Sequence, residues 1–406
     1  MATSPTLSVI MANRNGGAHL REALASTLGQ THDDLELILS DDASTDDSIA
    51  IAEAVSSRDR RLKLLRSMVV GGPAAARNRA LNIARGDWIA VADSDDLMHP
   101  ARFERMLKQA HENELDVVAD DQIYFGANLG HTLLEARGVS SIWHVTAKDF
   151  LAAETASPAI PVGYLKPVIR RSALGSLRYS EAMTIGEDYD LLFRLLLVGV
   201  KMAVLPEAYY LYRRHSGSIS YRLRPEDCES MIVAGERYLD MVPNELAPLV
   251  RQRLLMHEHA RDFAELVVQL KSGSLRGAAA ALFRQPGLVR PLAKAFAERN
   301  TRGRNGQSAG TGETTVSFFD GEMVGQKEDH FPLPREETGW TPAQVAALVA
   351  KAGRGNAHLR AYGRAGLEAL GYLPGWKSAE LASPANGWSD QERRRIAAMP
   401  WPVALS

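Results

Sequence analysis

From Leu7 to Ala119 the chain alternates short apolar runs with stretches of helical period, and few folds accept that pattern. Residues 7–12, 35–40, 62–66, 88–92 and 116–119 read as strands, and residues 18–28, 48–56, 74–84 and 100–112 as helices. In the first helix Leu20, Ala23, Leu24 and Leu28 share one face. In the last, Pro100 suits the first helical position and Phe103, Met106, Leu107 and Ala110 point inward. Strands that are apolar along their whole length belong to an α/β architecture, a mostly parallel sheet flanked by helices on both faces. Such sheets take ligands at the carboxyl ends of their strands.

Beyond residue 125 the pattern loosens. A loop-rich stretch at 126–165 precedes a helix at 188–198, a strand at 201–205 and the segment 209–220. The sequence then turns helical over 226–242, 246–270 and parts of 275–297. Residues 301–315 are rich in Gly, Ser, Thr and Asn, the composition of a linker. Two capping boxes, Thr341 with Gln344 and Ser389 with Glu392, suggest a small helical unit at the end. The expected layout is therefore a catalytic-type domain at 1–222, a helical C-terminal extension at 223–300, a linker at 301–335 and a helical unit at 336–406.

Composition narrows the function classes. Lys and Arg number 47 against 49 Asp and Glu, a net charge of −2, so nucleic acid is not the expected partner. The lone cysteine, Cys228, excludes an internal disulfide or a cysteine-built zinc site and fits a reducing compartment. The start shows no secretory pattern, and the greasiest stretch, 191–205, is interrupted by Arg194 and Lys201 and too short to span a bilayer. A cytoplasmic location follows.

Carboxylates gather where strands end. Asp41 and Asp42 follow the second strand; Asp93, Asp95 and Asp96 follow the fourth. Packed acids repel unless a cation sits among them, and Mn²⁺ or Mg²⁺ prefers oxygen ligands. The same residues also read as turns that lead into the next helices. Gly71-Gly72-Pro73 opens a helix carrying Arg77 and Asn78, an arrangement suited to an anion. Glu187-Asp188 opens another helix, where acids are favoured in any case. The segment from Tyr212 to Ser218 adds Arg213, Arg214 and His215.

In this order and spacing, these segments resemble the family 2 glycosyltransferases of GT-A fold, over residues 7–220. The resemblance is carried by the first strand through Asn15, Asp41-Asp42-Ala-Ser-Thr-Asp46, Ala76-Arg77-Asn78, the strand ending in Asp93-Ser-Asp95-Asp96, and Gly186-Glu187-Asp188. It implies that Ala12, Asn13, Arg14 and Asn15 border the nucleotide of a nucleotide-sugar donor, that Asp42 accepts from the base imide of uridine, and that Arg77 lies near the phosphates. It further implies that Asp93 and Asp95 are the outer acids of a DxD-type motif, with Asp95 as the direct metal ligand, and that His215 approaches the metal or diphosphate. Asp188 is implied as catalytic base, with Glu187 beside it. Arg14 stands where relatives often carry an aromatic residue. The Gln-x-x-Arg-Trp motif of processive synthases is absent, which favours transfer of one sugar per encounter, with inversion.

Lipid-linked or free saccharide acceptors are frequent in the family. Residues 271–304 carry eight cations against Glu298 alone, interleaved with Leu275, Phe283 and other apolar residues, so they read either as a peripheral membrane contact or as a solvated helical face. Two other functions stay open: a nucleotidyltransferase, and a non-catalytic nucleotide-sugar-binding scaffold.

Overall fold

The computed structural model describes residues 5–126, 132–134, 141–156, 159–214 and 223–289. Beyond these it describes pieces at 314–319, 330–332, 357–362, 378–382 and 403–405, and single residues at 292, 389, 393 and 396. The first half runs β1 (Leu7–Asn13), α1 (Gly17–Leu28), β2 (Leu35–Asp42), α2 (Ser48–Ser56), β3 (Leu62–Ser67), α3 (Gly72–Ile83) and β4 (Trp88–Asp93), each within a few residues of the sequence expectation. There follow β5 (Leu97–Met98), α4 (Arg102–Glu112), β6 (Val117–Gly126), β7 (Trp143–Val145), α5 (Ala147–Thr155), β8 (Val168–Arg170), α6 (Arg171–Leu174), α7 (Glu187–Leu197) and β9 (Met202–Arg214). Three helices close this part: α8 (Pro225–Met241), α9 (Ala247–Lys271) and α10 (Leu275–Arg284).

Nine strands form one mixed sheet in the order β3-β2-β1-β4-β8-β6-β9-β5, with β7 alongside β9. β3, β2, β1 and β4 are parallel neighbours, and β8 runs antiparallel between β4 and β6. The chain winds one way from β1 to β2 and β3 and the other way to β4, so a crevice opens at the carboxyl ends of β1 and β4. Alternate side chains feed two cores. Val9 and Met11 pack with α1 and α4 on one face, while Ile10, Ile89 and Val91 pack with α3, α5 and α7 on the other. Each such side chain, fully buried, contributes about 1.5–3 kcal/mol. That burial fixes the register of Ala12 against Asp93 and of Asn13 against Asp41, and so the placement of the crevice rim.

Two parts of the expectation change. Among the described residues of 126–165 there are regular elements, β7 and α5: Thr146 accepts from the Asp149 backbone N–H and Asp149 returns the bond, a reciprocal cap that starts α5. The expected linker at 301–335 holds strands β10 (Thr314–Phe319) and β11 (His330–Pro332). The expected helical unit at 336–406 contributes β12 (Ala357–Tyr362), β13 (Ser378–Ala382) and β14 (Val403–Leu405). These five pair in parallel, in the order β11-β10-β12-β13-β14. Runs of three to six residues are too short for period to separate strand from loop. The Ser389 cap expectation retains a helical bond, from the Arg393 N–H to the Ser389 carbonyl, whereas Thr341 and Gln344 lie outside the described residues.

Candidate active site

The rim begins at the end of β1. Asn13 Nδ2 donates to Asp41 Oδ1 at 2.8 Å and to Ser44 Oγ at 3.2 Å, and Asp41 also accepts the Ser44 N–H at 2.9 Å. Asn15 adopts the left-handed conformation (φ 53°) and accepts the Thr45 N–H at 2.8 Å, while Arg14 is exposed. A Cβ at Gly16 would fall 2.3 Å from Asn13 Oδ1, so a larger residue there would displace the Asn13 amide. The segment Ala12–Asn15 is thus tied to the loop after β2.

Asp42 does not face an open cavity. Its carboxylate accepts the N–H groups of Gly71 (3.0 Å) and Gly72 (2.8 Å) and pairs with Arg79 at 2.8 Å, at only 2% exposure. In this arrangement Asp42 orders the turn that starts α3, and a bond to a base would have to replace one of these.

Four groups close a ring of alternating charge. Arg77, from α3, reaches Asp93 at 2.8 Å and Asp188 at 3.3 Å; Lys166, just before β8, reaches Asp93 at 2.9 Å and Asp188 at 2.8 Å. Arg77 also holds Glu187 at 2.6 Å. Both acids at the start of α7 are presented by Gly186, whose φ of 88° favours glycine. From the far side, Tyr238 of α8 donates to Asp190 at 2.8 Å, and the Arg253 guanidinium of α9 lies 3.7 Å from the Tyr189 ring centroid. Burial alone would raise the Asp93 carboxyl, but Lys166 and Arg77 hold it well below the usual carboxylate range. Burial and neighbouring Asp188 instead push Glu187 up to about 7, against the pull of Arg77. Lys166 stays firmly protonated, since Asp188 and Asp93 outweigh its burial.

Beside this ring Asp93, Asp95 and Asp96 each offer one carboxylate oxygen within 4.8 Å of the others. Asp96 is buried, accepting Tyr210 Oη at 2.8 Å and the Arg213 N–H at 2.6 Å. Burial, reinforced by Asp95 and Asp93, pushes its carboxyl well above the usual range. Three hard oxygen donors this close together suit a divalent cation, which would offset their mutual repulsion. Arg213 does not point outward as a phosphate ligand: its guanidinium binds the Asp95 carbonyl and Glu22, both at 2.6 Å, and so shapes the acidic turn. His215 lies outside the described residues.

The profile of Glycosyl transferase family 2 matches residues 8–161. The succinoglycan biosynthesis protein ExoO of Rhizobium meliloti is 33% identical over 305 residues, spanning 73% of this chain and 87% of that protein. This chain belongs to glycosyltransferase family 2. The glycosyltransferase GlyG of Streptococcus pneumoniae is 30% identical across 53% of this chain and 73% of its own length. The crystal structure of S. aureus TarS 1–349 in complex with UDP-GlcNAc matches with a TM-score of 0.54 at 20% identity, over 68% of this chain and 79% of that one. The fold of this family 2 enzyme is accordingly GT-A.

Two residues escaped the sequence reading. Lys166 stands just past the stretch read as loop-rich, among residues assigned to no element; its one local signal is a cation enclosed by apolar residues in Val162-Gly-Tyr-Leu-Lys-Pro-Val-Ile169. Arg102 opens the amphipathic helix α4, yet it is fully buried, bound to Asp120 at 2.8 Å and to the carbonyl of Lys166. Among the described residues no helix is long and apolar enough to cross a membrane.

Proposed function

We propose that this glycosyltransferase moves one sugar from a nucleotide-diphosphate sugar onto an acceptor hydroxyl of a saccharide or lipid-linked saccharide, with inversion, in surface polysaccharide assembly. The observation that carries the reading is that Asp93 and Asp188 share Arg77 and Lys166 at the carboxyl end of β4. A carboxylate beside the diphosphate site and another aimed at the acceptor are what an in-line displacement needs.

In this reading Ala12–Asn15 and the Asp42-ordered turn border the nucleoside, and Arg77 draws on the donor phosphates. Asp95, with Asp93 and Asp96, would hold Mn²⁺ or Mg²⁺, and His215 is a further candidate ligand. When bound, such an ion supplies Lewis-acid neutralisation of the leaving diphosphate, an effect of several kcal/mol. Asp188 takes the proton of the attacking hydroxyl, a contribution of about 10²–10⁴ in rate. Glu187, pushed up to about 7, carries a proton for part of the time at neutral pH and can donate a hydrogen bond to the acceptor. Uridine as the base depends on Asp42 exchanging a Gly71 bond for the base imide.

The same reading places the enzyme in the cytoplasm, resting on the inner face of the membrane through 271–304, where Leu275 and Phe283 are 74% and 88% exposed. Flotation with anionic and neutral vesicles tests that part, and failure to float with either removes it. The catalytic part is tested by incubating purified protein with a panel of nucleotide sugars and measuring released nucleoside diphosphate, with and without EDTA. Release from a UDP-sugar that EDTA abolishes is expected; no release from any donor, with or without added saccharide acceptors, would sink the proposal.

A further inference from the structure

Lys166 is 3% exposed, and burial of an ammonium is expensive unless it is paired. Its position is fixed by its own backbone: the carbonyl accepts from Arg102, a guanidinium with no exposure that is itself bound to Asp120. Pro167 follows, and its carbonyl accepts the Val91 N–H of β4 at 3.1 Å, so the lysine is built directly onto the strand that ends in Asp93. From there Nζ meets Asp93 Oδ2 at 2.9 Å and Asp188 Oδ2 at 2.8 Å. Arg77 already supplies each of those carboxylates with a cation on its other oxygen.

We infer that Lys166 is a positioning residue, an internal counter-cation that holds Asp188 beside Asp93 before substrate arrives and gives up Asp93 to the divalent ion. The chemistry of the two cations separates their tasks. Arg77 grips three carboxylates through a planar fork and is held in place. Lysine is a compact point charge on a flexible stem, able to leave one carboxylate while keeping another. Asp93 is at once the carboxylate that Lys166 holds and a member of the three-acid cluster, so ammonium and metal compete for its charge. With Asp93 given up to the ion, the ammonium remains on Asp188 and keeps that carboxylate aimed. Metal arrival at the donor side is thereby felt at the acceptor side.

This inference rests on the metal-dependent transfer proposed above, and the experiment separates the two. Mn²⁺ binding to the full chain is measured by calorimetry without donor, for wild type, Lys166→Met and Lys166→Arg, alongside kcat at saturating donor and metal. Loss of the competing charge is expected to tighten Mn²⁺ binding by about ten-fold or more in Lys166→Met. With Asp188 held by Arg77 alone, kcat is expected to fall by about 100-fold. Lys166→Arg is expected to return Mn²⁺ affinity to within about three-fold of wild type and to recover part of kcat. Should Lys166→Met fail to fold, the double variant Lys166→Met/Asp188→Asn compared with Asp188→Asn alone reads the same competition. Unchanged Mn²⁺ affinity in the variants, whatever happens to kcat, overturns the inference while leaving metal-dependent transfer in place. No Mn²⁺ binding by the wild type overturns the metal reading, and the inference with it.

Discussion

Replacing Arg77 by Met removes the cation that three carboxylates share. The guanidinium, 5% exposed, meets Asp93 at 2.8 Å, Glu187 at 2.6 Å and Asp188 at 3.3 Å. Breaking a buried ion pair from one side costs about 3–5 kcal/mol, a large part of a typical folding free energy of about 5–15 kcal/mol. Lys166 stays against Asp93 and Asp188, so Glu187 is the acid that loses its cation. That carboxyl already lies at about 7 with Arg77 in place, raised by burial and by Asp188; without Arg77 it rises further. A raised folded-state value means that the folded protein holds a proton which the unfolded chain has released. Stability is then fully present below the ordinary Glu range and is lost as pH rises through the folded value. The penalty of Arg77→Met should therefore be about 3–5 kcal/mol at pH 8 and smaller by about 1 kcal/mol at pH 5, since the two proteins diverge only above about 7 and at 1.36 kcal/mol per unit. Urea unfolding of both proteins at the two pH values measures it. A penalty below about 1 kcal/mol, or one equal at both pH values, would refute the reasoning.

Other consequences follow from the same geometry. Glu187→Gln stays neutral at every pH, so it should lack the decline in stability that the wild type shows between its unfolded value of 4.5 and about 7; parallel thermal melts that decline equally would exclude Glu187 as the source. Asp188→Asn should retain nucleotide binding while transfer drops by about 10²–10⁴, read by calorimetry with UDP and by product formation. Asp95→Asn should lose metal-stimulated turnover, and full activity of the wild type in EDTA would contradict the metal role. Gly86→Ala places a Cβ 2.4 Å from the backbone nitrogen of Ser8 in β1, so it should destabilise by about 1–3 kcal/mol or more, with no effect on metal affinity in the folded fraction.

The half of the fold around β1 to β4 was legible because β1, β2 and β4 are buried almost throughout and the apolar runs of β2 and β4 end abruptly in acids. The acids could be found for the same reason: Asp93, Glu187 and Asp188 sit at element ends, where sequence marks a boundary. Their partner Lys166 could not be found that way. Its role comes from β8 inserting antiparallel between β4 and β6, a long-range pairing that no local period announces. Asp42 was legible as a rim residue, but its commitment to Gly71 and Gly72 depends on how closely α3 starts against β2. The strands of the final part were missed because each is short and their parallel pairing joins residues far apart in the chain.

The clamp around Lys166 also shapes what evolution or an engineer can vary. The β6 ladder is irregular between Asp120 and Gln122, and that point is fastened to Tyr164-Leu165-Lys166, the residues that lead into β8. Gln122 Nε2 donates to the Tyr164 carbonyl at 2.6 Å, and Arg102 joins Asp120 to the Lys166 carbonyl. The described residues between those anchors join the core through Val145, Phe150, Leu151 and Ile160, so the clamp is supported from both sides. Variation there is open to exposed positions such as His144 and Lys148, while the lysine and its two acids keep their places.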